Sequence, residues 1–181
     1  YGVVSPAGEL VTYIDVPLPG PRLPHDMMFT ENWTILNDLP LFWDPEALAS
    51  GYYSNVFRRD LPSRFALVPR YGSTNDIRWF EADSTFVLHW TNAYEDGDEV
   101  VLDGFFQHNL TARGVDRSVN VDPKHKGFET LDMNVLQARH HRWRFNLVTG
   151  KTREEPLSET CSEFPMINGQ HWGRPYRCLL Y

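Results

Sequence analysis

The sequence predicts an all-β chain of short strands and many turns, and three observations carry that reading. Apolar and aromatic runs of strand length recur with turn residues between them, at roughly the 8–12 residue spacing of all-β folds. The composition holds 14% aromatic residues with 13 prolines and 12 glycines, a balance weighted towards strands and turns. A helix signature occurs only in "WDPEALASG", where Asp44 is the N-cap, Pro45 the first helical residue and Gly51 the stop.

Leu10 to Val16 reads as a strand, and the proline-rich loop Pro17 to Pro24 runs extended into His25. "NWTILNDLPLF" gives a short strand that ends at the Asn37-Asp38 turn. Further strands are predicted at Arg64 to Arg70, Asp76 to Ala82, Thr85 to Tyr94 and Glu99 to Phe106, separated by the turns Gly72 to Asn75 and Asp96-Gly97. Residues 107–138 lack periodicity and read as a long, elaborated loop. "RHHRWRFNLVTGKTREEPL" is a hairpin, with Trp143, Phe145 and Leu147 alternating before the Thr149-Gly150 turn. This pattern leaves sandwich, barrel and propeller open, because no exact internal repeat selects among them. The chain opens at Tyr1 inside a strand-turn-strand pattern and stops at strand-like "RPYRCLLY". Residues 1–181 are therefore expected to be one partial domain of a longer polypeptide.

A formal net charge of -7 argues against a nucleic-acid partner, which needs a basic face. No apolar run approaches the roughly 18 residues of a membrane span. Cys161 and Cys178 have no metal-type spacing and no secretory leader precedes them, so reduced thiols and a cytoplasmic location are the expectation. Asn32-Trp33-Thr34 and Asn109-Leu110-Thr111 match the glycosylation sequon, here read as coincidence.

Seven histidines remain to be sorted. His108, His125, His140 and His141 lie among polar or charged neighbours and are expected to be solvated, and His171 sits in a Gly-rich turn that leaves it ambiguous. His25 and His89 each abut bulky apolar runs. In the predicted 85–94 strand, Val87, His89 and Thr91 face away from Phe86, Leu88 and Trp90. A buried imidazole without a partner costs about 1–3 kcal/mol, so each of the two requires a fixed acceptor or a metal. The ordinary reading is a core histidine bonded to backbone. Spacing alone permits a metal site without showing one.

Three segments in order resemble the carotenoid cleavage oxygenase family, which includes stilbene-cleaving dioxygenases and the retinoid isomerase. "PHDMMFTENWTILNDLPL" is similar to the family's His-Asp-x-x-x-Thr-x-Asn/His segment. "RWFEADSTFVLHWTNAYEDGDEVVLD" is similar to its His-x-x-Asn-Ala-Tyr/Trp-Glu segment, and "EFPMINGQHWGRPYRCLLY" to its Glu-Phe-Pro segment. "RFALVPR" falls between the first two, as in the family. The resemblance implies about three blades' worth of a seven-bladed β-propeller with one short helix and long loops. It implies that His25 and His89 are two of four histidines binding one Fe(2+), and that Glu163 accepts a hydrogen bond from His89. The other two ligands, and a carboxylate partner for His25, fall outside this sequence in the family pattern. The implied enzyme is an oxidoreductase that uses dioxygen to cleave a conjugated double bond of a carotenoid or apocarotenoid, with a stilbenoid as the alternative substrate. No acid–base residue is assigned beyond the metal ligands, and the piece alone is expected to be inactive. Leu41, Phe42, Trp43, Leu48, Tyr52 and Tyr53 cluster around the short helix and are expected to form an apolar patch for peripheral membrane contact, with ordinary core packing as the alternative.

Two rivals come from other classes. A non-catalytic propeller scaffold would be favoured by loss of His25 or His89, and both are present. A hydrolytic metalloenzyme would need a helix-borne pair such as His-Glu-x-x-His, which the sequence lacks.

Overall fold

A computed structural model describes residues 1–51, 55–108 and 137–180. In chain order the elements are β1 (Gly2–Val4), β2 (Leu10–Tyr13), β3 (Met28–Phe29), β4 (Trp33–Asp38), β5 (Leu41–Trp43), α1 (Pro45–Ala49), β6 (Asn55–Phe57), β7 (Ser63–Pro69), β8 (Arg78–Ala82), β9 (Trp90–Asp96), β10 (Glu99–Phe106), β11 (Arg139–Asn146) and β12 (Thr152–Cys161). Two four-stranded antiparallel sheets dominate, in the orders β3-β4-β7-β8 and β12-β11-β10-β9. The β5–β6 hairpin, with α1 at its tip, is inserted between β4 and β7. The β1–β2 hairpin forms a separate two-stranded sheet.

Local chemistry places the breaks. The Asp44 carboxylate accepts from the backbone N–H groups of Glu46 and Ala47, and Pro45 opens α1 as the sequence predicts. Gly97 and Gly150 adopt positive φ in the β9–β10 and β11–β12 turns. Along β7 the side chains alternate between two cores. Phe65 and Leu67 face the other four-stranded sheet, while Ala66 and Val68 pack with Ile14 of the amino-terminal hairpin. Phe65 sits 5.9 Å from Trp90, 5.9 Å from Trp143 and 5.0 Å from Phe145, centroid to centroid, so this aromatic cluster joins the two sheets.

The predicted strand from Thr85 to Tyr94 is corrected: β9 begins only at Trp90. Phe86 and Val87 are both buried, so the two-residue alternation expected there fails. Hydroxyls take over the ladder's work. Thr85 N–H donates to Ser63 Oγ at 2.9 Å, and Gln107 N–H donates to Thr85 Oγ1 at 2.9 Å. The register between β9 and β10 slips at Asp103/Gly104, where Gly104 pairs with Trp90. A Cβ on Gly104 would lie 2.4 Å from Trp90 Cε3, so only glycine admits the indole. Gly104→Ala is therefore expected to cost about 1–3 kcal/mol of stability by forcing Trp90 aside. A lower urea midpoint with a weakened near-UV tryptophan signal would register the change.

The histidines expected to be solvated divide. His108 is exposed, whereas His140 is 7% exposed and the His141 side chain 13%, and His125 lies outside the described residues. Residues adjacent in β11 face opposite sides, and on each side the imidazole lies against aromatic rings of its own sheet: His141 on Phe106 and Trp143, and His140 on Phe105. Most of the 107–138 loop, including Asn109, also lies outside the described residues. Within the apolar patch, Leu41 is 3% exposed and belongs to the core instead of the surface. Phe42 lies under the Arg22 guanidinium and Leu48 is exposed, while Tyr52 and Tyr53 are outside the described residues. Among the described residues no helix is long and apolar enough to cross a membrane. Cys161 and Cys178 are both free thiols.

Candidate functional site

His25 stands just ahead of β3, and His89 immediately ahead of β9. These are the first strands of the two four-stranded sheets in chain order, and they lie against each other. Two histidines far apart in sequence therefore meet. Their ring centroids are 5.2 Å apart with the planes at 84°, edge to face. His25 is exposed, while the His89 side chain is 26% exposed.

Glu163, from the segment after β12, stands 2.8 Å from His89 Nδ1 through Oε2. An ionised carboxylate only accepts, so Nδ1 is the nitrogen that bears a proton in this pair, and the neutral imidazole of that tautomer has its lone pair on Nε2. The same Oε2 accepts from the Phe164 N–H at 2.9 Å. Oε1 faces the Nε2 amide of buried Gln107 at 3.5 Å. Phe164 holds a positive φ of 55°, uncommon for a bulky residue, and its ring lies 4.5 Å from that of His89. The turn at Glu163-Phe164 therefore presents both a carboxylate and an aromatic face to His89. Beside His25 opens an apolar cleft of about 360 Å³, lined by Val16, Leu18, Pro24, Met27, Leu36 and Trp79 among others.

Several polar residues that the sequence reading passed over hold this arrangement. Glu95 accepts from Thr30 Oγ1 at 2.6 Å and from the Asn32 backbone and side-chain N–H groups, each at 2.9 Å. Fully buried Asn92 donates to the carbonyls of His171 and Arg174 and accepts from Gly173 N–H. His171, ambiguous in sequence, therefore contributes its backbone here while its residue stays exposed. Tyr176 donates to Asp103 at 2.6 Å, docking the segment that begins at Glu163 onto β10. The signal for these residues was a polar side chain inside an apolar run, since buried polar groups need partners.

Burial alone would raise the Glu95 carboxyl, but the hydrogen bonds from Thr30 and Asn32 outweigh it, and the net shift is downward. A lowered native value means that Glu95 contributes stability above the ordinary glutamate range near 4.3. That contribution is lost as pH falls through the depressed value. Glu95→Gln is expected to flatten the decline in urea midpoint below about pH 4.5; an unchanged slope would remove Glu95 from the acid response.

Among the described residues, no group of three or more His, Cys, Asp or Glu side chains is arranged to hold a metal. The donor chemistry of the two imidazoles, 5.2 Å apart, does fit a shared metal. Both are nitrogen donors suited to a first-row transition metal, and the carboxylate behind His89 frees its outer nitrogen.

The family model described as retinal pigment epithelial membrane protein matches residues 1–180. The carotenoid 9,10(9',10')-cleavage dioxygenase of Crocus sativus is 32% identical over 179 residues, covering 98% of this chain and 31% of that protein. The lignostilbene-alpha,beta-dioxygenase isozyme III of Sphingomonas paucimobilis is 29% identical over 187 residues, covering 98% and 36%. Cobalt-substituted apocarotenoid oxygenase of Synechocystis superposes with a TM-score of 0.80 at 24% identity, over 97% of this chain and 36% of that one. The fold is thus part of a seven-bladed β-propeller, with β3-β4-β7-β8 and β9-β10-β11-β12 as blades. The chain spans about a third of the length of the curated relatives it matches.

Proposed function

The chain belongs to the retinal pigment epithelial membrane protein family, that of the carotenoid cleavage oxygenases, and from that premise we propose that it is part of a longer iron(II)-dependent dioxygenase. Its reaction is the cleavage of a conjugated carbon–carbon double bond in a carotenoid or apocarotenoid. Dioxygen supplies one oxygen atom to each of the two carbonyl products, so the balance calls for no separate reductant. The observation that carries this reading is the convergence of His25 and His89 at 5.2 Å, with Glu163 on the inner nitrogen of His89.

His25 and His89 would hold the metal through imidazole nitrogens. When bound, iron supplies the redox chemistry of dioxygen activation, which these side chains lack. The protein's part is placement. Glu163 fixes the His89 tautomer and ring direction, and its charge offsets a divalent ion among neutral ligands. The cleft beside His25 offers an apolar wall suited to a hydrocarbon chain. A stilbenoid is the second reading, motivated by the 29% identity to a lignostilbene dioxygenase.

The deciding experiment is metal analysis of the full-length protein, with oxygen uptake on a panel of carotenoids, apocarotenoids and stilbenoids. Iron bound in proportion to protein, with uptake on one polyene class, is the expected result. A well-folded protein that takes up no iron and consumes no oxygen with any of them would leave the scaffold reading in its place.

A further inference from the structure

We propose that Asp26 sets the distance and angle between the His25 and His89 imidazoles, and so acts as a positioning residue for a divalent metal; this rests on the reading of the two histidines as ligands. Among the described residues no side chain hydrogen-bonds the His25 ring, so within this segment the backbone that carries the ring is what places it. Asp26 is the next residue along that backbone, and Trp90 is the next residue after His89. Consecutive Cα atoms are about 3.8 Å apart, so a link between Asp26 and Trp90 fixes both histidines at close range.

That link is double. Asp26 Oδ2 accepts from the Trp90 backbone N–H at 3.2 Å, and the Asp26 carbonyl accepts from the Trp90 indole N–H at 3.4 Å. Its other carboxylate oxygen accepts from the Met27 N–H at 2.8 Å, which closes the turn entering β3. The Asp26 carbonyl also accepts from the side-chain amide of buried Asn37 at 2.6 Å. Asn37 lies in β4 and Trp90 in β9, so Asp26 ties the start of one blade to both blades at once. Trp90 is itself locked, since its indole lies over Gly104 and against Phe65 and Trp143. Each carboxylate oxygen serves one N–H group, and no smaller or singly accepting side chain reproduces the pair.

The test uses the full-length protein stripped of metal and titrated with cobalt(II), whose visible absorption bands report ligand geometry. Asp26→Ala is expected to weaken cobalt binding about 10- to 100-fold, the scale on which residues supporting metal ligands act, and to shift the bands. Asp26→Asn, with one acceptor oxygen for two N–H groups, is expected to fall between Asp26→Ala and wild type, and it carries the same test if Asp26→Ala does not fold. Unchanged affinity and bands in both variants would overturn the proposal. So would a lowered Tm with unchanged bands, since that marks a merely structural role. His89→Ala separates the two layers: if it binds cobalt as wild type does, the reading of the histidines as ligands fails, and the role of Asp26 with it.

Discussion

In the full-length protein, His89→Ala is expected to abolish turnover, while Glu163→Gln weakens iron binding or activity by about 10- to 100-fold and leaves the fold intact. The difference lies in what each change removes. Alanine at 89 deletes a candidate metal–nitrogen bond outright. Glutamine at 163 nearly conserves volume, and its carbonyl oxygen still accepts from His89 Nδ1 and the Phe164 N–H, which both use Oε2. Its amide then faces Gln107 Nε2, donor to donor, where Glu163 Oε1 now stands 3.5 Å away. Gln107 can resolve this by turning its own amide, because its buried Oε1 has no hydrogen-bond partner among the described residues to lose. What disappears is the negative charge that raises the basicity of the imidazole and offsets the ion. Iron titration and melting curves on wild type and both variants check this. Wild-type iron affinity and turnover in Glu163→Gln would remove that residue from the site.

Asp103→Ala is expected to produce the largest loss of stability, about 3 kcal/mol. The Asp103 side chain is fully buried and accepts from Arg142 Nε at 2.8 Å, Arg142 Nη2 at 2.9 Å and Tyr176 at 2.6 Å. Its hydrogen bonds raise the guanidinium of Arg142 and hold it charged, against the opposing effect of burial. Burial first, then the Asp103 charge, push the Tyr176 phenol upward, so it stays protonated and donates. Alanine would leave a cation, 21% exposed, and a phenol without their acceptor. Replacing Asp103 and Arg142 together by leucine and methionine is expected to recover part of the loss, because the unpaired charge goes with Arg142 while the Tyr176 hydroxyl still lacks its acceptor. Urea denaturation of the single and double variants measures both. Because Tyr176 anchors the segment that carries Glu163, the single variant is also expected to loosen the carboxylate behind His89.

The sequence by itself determined the class of the fold and most of its punctuation. Strand-length apolar runs marked the strands, and Asp44, Pro45, Gly97 and Gly150 marked where elements start and turn, because capping and positive φ are local matters. Motif order also singled out His25, His89 and Glu163, the three residues that the fold brings together. The sequence misplaced the start of β9, since the Ser63, Thr85 and Gln107 bonds that stand in for a ladder join residues 22 apart. It took His140 and His141 for solvated, because their charged neighbours along the chain say nothing of the β10 rings, Phe105 and Phe106, that pairing sets beside them. The partnerships of Asp26 with Trp90, Glu95 with Thr30 and Asn32, and Asp103 with Tyr176 were likewise illegible. Each is a contact between elements distant in sequence, and only the packing of one blade on the next decides which polar groups lose water together and must therefore find one another.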